Sequence, residues 1–136
     1  MNSKIIKVLI LDDERYYQDA AKKIIEQNDM LCAIAPDIRN ICKAVESGNL
    51  IGFVDSLIKE KNPKIVLTDI KYLEDEMAGF DIASYVSEKY PEIKVIGMTS
   101  SAFPYDNEVK ESGMFILLDK NYNFAVELVK ALNKCA

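Results

Sequence analysis

Ile5-Ile6-Lys7-Val8-Leu9-Ile10-Leu11-Asp12-Asp13-Glu14 decides the fold. Its first part is an almost unbroken aliphatic and β-branched run, the pattern of a strand covered on both faces. The run stops abruptly in acids. A strand buried on both faces belongs to a parallel sheet lying between helices. Such sheets gather their functional groups at the carboxyl ends of the strands.

Working outward, Tyr17, Ala20, Ala21, Ile24 and Ile25 recur at helical spacing over residues 15–27. Residues 31–35 form a short second strand that stops at Pro36. Helices are predicted over Ile38–Glu46 and, after Gly48-Asn49, over residues 50–59. Asn62-Pro63 breaks the chain before a third strand at 64–68. An irregular acidic loop, 71–79, leads into a helix over 80–89 that ends at Tyr90-Pro91. Residues 93–98 are a fourth strand, Asp106–Ser112 a short helix closed by Gly113, 114–118 a fifth strand and 124–133 a last helix. Five strands alternating with about five helices predict an α/β domain with a parallel sheet. Right-handed crossovers and the length favour a flavodoxin-like, doubly wound, five-stranded sheet of order 2-1-3-4-5 with helices on both faces. With 136 residues and no repeat, linker or low-complexity tract, residues 1–136 read as one domain.

Composition narrows the chemistry. The chain is 49% hydrophobic and 29% charged, as in a globular protein. Asp and Glu outnumber Lys and Arg by 22 to 17, a net charge of -5. This provides no basic footprint for nucleic acid or an anionic membrane, and neither is expected as a partner. There is no histidine, which excludes a histidine base, ligand or phosphohistidine on this chain. Cys32, Cys42 and Cys135 match no zinc or redox spacing. The N-terminal apolar run is too short and too soon acidic for a signal peptide or membrane span, so a cytoplasmic protein is expected.

Strand one ends in Asp12-Asp13, strand three in Asp69, strand four in Thr99-Ser100 and strand five in Asp119-Lys120. Taken singly, each has a plain structural reading. Asp12-Asp13-Glu14 can cap a helix and supply its first-turn acids, Asp69 can close a turn, Thr99-Ser100 can cap a helix, and Lys120 can be solvated. Their joint position at the same end of a parallel sheet is the informative signal. Three carboxylates converging at low dielectric need a cation. Oxygen-only ligands favour a hard ion, and Mg²⁺ suits a site that keeps waters. A carboxylate beside Mg²⁺ and an ammonium is a competent nucleophile toward a phosphoryl group, which makes Asp69 the natural acceptor.

Over residues 4–132 the chain resembles the receiver domain of bacterial two-component response regulators. The matching stretches are Val8 through Glu14, Ile65 through Asp69, Val95 through Ser100 and Gly113 through Lys120. The resemblance implies that Asp69 takes a phosphoryl group from a phosphohistidine on a histidine kinase or phosphotransfer protein. It implies Mg²⁺ held by Asp12, Asp13, Asp69 and the backbone carbonyl of Lys71. Thr99 and Lys120 would bind the phosphoryl group and carry the switch, with Lys71 and Ser100 placed to tune its lifetime. The missing histidine then reflects a donor located on another protein. A stand-alone receiver without an effector domain is expected, signalling to a downstream protein as a monomer or a phosphorylation-dependent dimer.

The chain also departs from the family pattern. The loop after Asp69 lacks the usual Met-Pro, is more acidic through Glu74-Asp75-Glu76, and reaches its glycine, Gly79, late. The span between Asp13 and Asp69 is long, which predicts an enlarged second helical region, in one helix or two. Leu117 stands where the family commonly has an aromatic switch residue, with Phe115 a conceivable substitute. Asn121 follows Lys120 where a cis-proline is common, and a cis bond there would cost ~3 kcal/mol. Tyr16, Tyr17, Tyr72, Tyr85 and Tyr105 read as packing or surface residues, and the acidic loop as solvated. Two alternatives remain open at this level. One is a degenerate receiver acting as a constitutive binding module. The other is an aspartyl-nucleophile phosphatase, disfavoured because Lys71 occupies the place of such enzymes' second acid.

Overall fold

The computed structural model describes residues 5–100 and 104–135. The strands are β1 (Ile6–Leu11), β2 (Leu31–Ile34), β3 (Ile65–Asp69), β4 (Lys94–Thr99) and β5 (Ile116–Asp119). The helices are α1 (Arg15–Glu26), α2 (Ile38–Glu46), α3 (Leu50–Lys61), α4 (Ala78–Lys89), α5 (Asp106–Ser112) and α6 (Phe124–Cys135). All strand pairs are parallel, in the order β2-β1-β3-β4-β5. The flavodoxin-like expectation holds. The long second region holds the two helices expected on either side of Gly48-Asn49, α2 and α3, and the described residues form six helices in all.

The two-sided character of β1 is visible in its packing. Leu9 and Leu11 pack with Ile41, Val54, Ile82 and Val86 of α2–α4. Val8 and Ile10 point the other way, onto Ala21, Ile25 and Leu128 of α1 and α6. Alternation along a strand sends successive side chains to opposite faces, so a continuous apolar run is what a central strand requires.

Two boundaries have a local cause. Asn62 ends α3 in the left-handed conformation (φ 52°), and Pro63 prevents the helix from continuing. Strand β5 begins at Ile116, later than predicted. Met114 and Phe115 instead form its approach, with the Phe115 N–H donating to the Val95 carbonyl (2.8 Å).

A three-sided tether joins the extra helix α3 to α4. Asp55 Oδ1 accepts from Tyr85 Oη (2.8 Å), Tyr90 Oη (2.7 Å) and Lys89 Nζ (3.0 Å). No peptide bond among the described residues is cis.

Candidate phosphoacceptor and metal site

The sheet register aligns the strand ends. Leu11 pairs with Thr68, Asp69 with Met98 and Thr99 with Asp119. Asp12, Asp69, Thr99 and Lys120 therefore come together, all four buried. One carboxylate oxygen from each of Asp12, Asp13 and Asp69 lies within 4.8 Å of the others. Lys120 Nζ sits 3.0 Å from Asp12 Oδ2 and 3.1 Å from Asp69 Oδ2, with Glu14 Oε2 further off at 3.8 Å. A cavity of ≈ 540 Å³ opens beside the acids, lined by Asp13, Asp69, Lys71, Glu76, Thr99 and Ser100 among others.

The plain capping readings do not describe these residues. Glu14 occupies the N-cap of α1 but makes no side-chain cap bond. Asp12 Oδ1 instead accepts from the Glu14 N–H (2.8 Å), which aims the carboxylate into the site. Asp13 Oδ2 accepts from the Leu73 N–H (3.4 Å). The N-cap of α5 is Tyr105, several residues beyond Thr99-Ser100.

The electrostatics follow from two buried acids sharing one ammonium. Burial pushes Asp12 up to about 6 against the pull of Lys120, and raises Asp69 in the same way. Burial pulls Lys120 down, but Asp12 and Asp69 outweigh it, and its net shift is upward. Asp12 Oδ2 tests the fit of a metal. It is buried and within ion-pair distance of Lys120, yet no hydrogen bond of acceptable geometry reaches it. An orphaned buried carboxylate oxygen beside two further carboxylates is the donor set of a hard divalent ion such as Mg²⁺.

Other expected residues are placed as follows. Lys71 is exposed, with its N–H 3.5 Å from Asp69 Oδ1, and Ser100 is exposed on the cavity wall. Leu117 is half-buried and lines a separate cavity of ≈ 660 Å³ with Thr99, Tyr105, Phe115 and Lys120. Glu74, Asp75 and Glu76 are all exposed as expected, and Glu76 also borders the acidic cavity.

Gly79 has a definite cause. A Cβ there would lie 2.4 Å from both the Asp69 carbonyl oxygen and Ile70 Cα. Only glycine lets the first turn of α4 press on the backbone that carries Asp69.

The model of the family described as "Response regulator receiver domain" matches residues 8–133. The chain belongs to this family. The receiver is similar in fold to a LuxR-family DNA-binding response regulator from Staphylococcus aureus (22% identity, TM-score 0.73, covering 96% of this chain and 98% of that one). It is similar to a CheY-like receiver domain protein from Methanospirillum hungatei (20%, 0.73, 97% and 94%). It also resembles the response regulator TrrA from Thermotoga maritima, solved in complex with Mg²⁺ and BeF (17%, 0.73, 97% and 100%). No protein of curated function matches the chain. Receiver domains are phosphoacceptor signalling modules of two-component systems rather than classical enzymes. No described helix of this receiver is long and apolar enough to cross a membrane.

Two residues of the site region were missed by the sequence reading. Tyr72 is wholly buried, its hydroxyl donating to the Leu11 carbonyl and bonded to Thr68 Oγ1 (2.7 Å). Burial holds this phenol well above its ordinary pKa, so it remains a donor. The available signal was its place in the loop directly after Asp69. Tyr17 lies one helical turn beyond Asp13, and its ring faces Lys120. The signal there was the i+4 spacing alone.

Proposed function

We propose that this receiver accepts a phosphoryl group on Asp69, in a Mg²⁺-dependent transfer from a phosphohistidine on a histidine kinase or phosphotransfer protein. The carrying observation is the shared ion pair. Lys120 Nζ touches both Asp12 and Asp69, while one buried oxygen of Asp12 lacks a hydrogen-bond partner.

Asp12, Asp13 and Asp69 would hold the ion, with the Lys71 carbonyl as a further ligand. Bound Mg²⁺ supplies charge neutralisation at the transferring phosphoryl oxygens. A carboxylate oxygen of Asp69 forms the new P–O bond as the donor's P–N bond breaks. That electron pair leaves with the imidazole, which takes a proton from solvent. Lys120 follows the charge, exchanging its contact with Asp69 for a phosphoryl oxygen. The Thr99 hydroxyl donates to another phosphoryl oxygen, and Ser100 and Lys71 border the path of the water that later hydrolyses the acyl phosphate.

The new charge at Thr99 and Lys120 acts on the wall of the ≈ 660 Å³ cavity that both residues share with Leu117. Output then runs through a two-state rearrangement of that surface toward a protein target. Its readout differs from a rotating ring at position 117.

The test is incubation with Mg²⁺ and a small phosphodonor such as acetyl phosphate. Wild type is expected to label and Asp69→Asn to remain unlabelled. Equal labelling of the two proteins would remove Asp69 as the acceptor. Mg²⁺ binding without any labelling would favour the constitutive binding module instead.

A further inference from the structure

We propose that Tyr17 is a positioning residue for Lys120, holding the ammonium by its ring face while the lysine's polar contacts change. This rests on the phosphoacceptor reading above. Lys120 Nζ lies 4.2 Å from the centroid of the Tyr17 ring, well within range of a cation–π attraction. The same tyrosine reaches the other end of the residue, its hydroxyl donating to the Lys120 main-chain carbonyl (3.5 Å). The ring is itself braced edge-on, by Tyr16 at 5.2 Å and Phe124 at 6.1 Å between centroids.

The arrangement answers a physical need. Lys120 is 1% exposed in its side chain, so its charge has lost its water. Its ammonium donates to Asp69 and pairs with Asp12 by charge, and the lysine has no acceptor of its own. When Asp69 becomes an acyl phosphate, one of these carboxylate contacts is exchanged for a phosphoryl oxygen. A third carboxylate in close contact would compete with the phosphoryl group for the ammonium, and the one nearby, Glu14, stands off at 3.8 Å with its side chain largely in solvent. An aromatic face attracts the cation without carrying a formal charge, and its attraction has little directional demand on any one N–H. The ammonium can therefore change partners while remaining on the ring.

Tyr17 also forms a wall. A ≈ 500 Å³ cleft between α1 and α6 is lined by Tyr17, Lys120, Tyr122 and Phe124. Without the ring, water from this cleft reaches the lysine, and its attraction for anions weakens as the local dielectric rises.

The test compares Tyr17→Phe and Tyr17→Leu with wild type by acetyl phosphate labelling at saturating Mg²⁺, Mg²⁺ affinity, and the proton shift of the Lys120 ε-methylene group. Wild type and Tyr17→Phe are expected to show the upfield ring-current shift and to label within about twofold of one another. Tyr17→Leu is expected to lose the shift and label about tenfold more slowly, the order for a lost desolvated cation–ring contact. Its Mg²⁺ affinity is expected to be unchanged.

Labelling of Tyr17→Leu at the wild-type rate would overturn the proposal. So would Tyr17→Phe being as slow as Tyr17→Leu, or a parallel loss of Mg²⁺ affinity, since the carboxylate pocket itself would then be at fault. If wild type does not label at all, the phosphoacceptor reading fails instead. The ε-methylene shift then decides on its own whether the ring holds the lysine.

Discussion

Tyr72 Oη lies 2.7 Å from Thr68 Oγ1 and also donates to the Leu11 carbonyl, so one buried phenol ties the end of β1 to the end of β3. Those are the strand ends that deliver Asp12 and Asp69. A side chain from the loop after β3 thus bears directly on how the two carboxylates are spaced.

Tyr72→Phe keeps the ring in the core but leaves the buried Leu11 carbonyl without its donor. The expected cost is about 1–3 kcal/mol. It should appear in urea denaturation as a lower midpoint with an unchanged m-value. Phosphodonor labelling of Asp69 should slow as well. An unchanged midpoint would show that the bond contributes nothing net.

Metal binding should depend on pH through Asp12. Burial sets its metal-free pKa at about 6, so below that value Mg²⁺ must displace a proton. Apparent affinity is expected to be flat above about pH 7 and to fall by about tenfold per unit below pH 6. Calorimetric titration between pH 5 and 8 checks this. Equal dissociation constants at pH 5 and pH 7 would contradict it.

Gly79→Ala places a methyl group against the Asp69 carbonyl and Ile70 Cα, both rigid backbone. Overpacking of this kind costs about 1–3 kcal/mol, and here it also shifts the acceptor strand. A lower melting temperature together with slower labelling is expected. Loss of stability with an unchanged labelling rate would confine the effect to packing of α4.

Asp55 offers a stability switch away from the site. The hydroxyls of Tyr90 and Tyr85 and the Lys89 ammonium hold its carboxyl well below the ordinary value of 3.8. A carboxyl depressed on folding contributes stability above its unfolded pKa and loses it as pH falls through the folded value. Asp55→Asn should therefore lower the melting temperature at pH 7 and lower it less under strong acid. A constant difference at every pH would exclude the ionised network as the cause.

Much of this was legible in the chain because parallel-sheet physics is written locally. The unbroken run 5–11 and the alternation of strands with amphipathic segments specify the layers, and Asn62-Pro63 marks where α3 must stop. The acids, hydroxyl and lysine at four strand ends could be assigned to one site because strand order and right-handed crossovers leave few ways to arrange them. The long span before Asp69 announced extra helix, and Gly48-Asn49 marked the break between its two pieces. Both pieces pack on the same side of the sheet, with Ile41 of α2 and Val54 and Ile58 of α3 sharing one core with Leu9 and Leu11.

What sequence alone determined is the layer order, the meeting of Asp12, Asp13, Asp69, Thr99 and Lys120, and a hard-ion donor set without histidine. Only the tertiary structure decided the contacts of Tyr17 and Tyr72. Both are single aromatic residues whose ordinary reading is packing, and nothing in their local pattern distinguishes a ring against a leucine from a ring against an ammonium. Their contacts join positions 103 and 61 residues apart in the chain. Burial, which turns a weak hydrogen bond or ring contact into a consequential one, is a property of the assembled core and not of any segment.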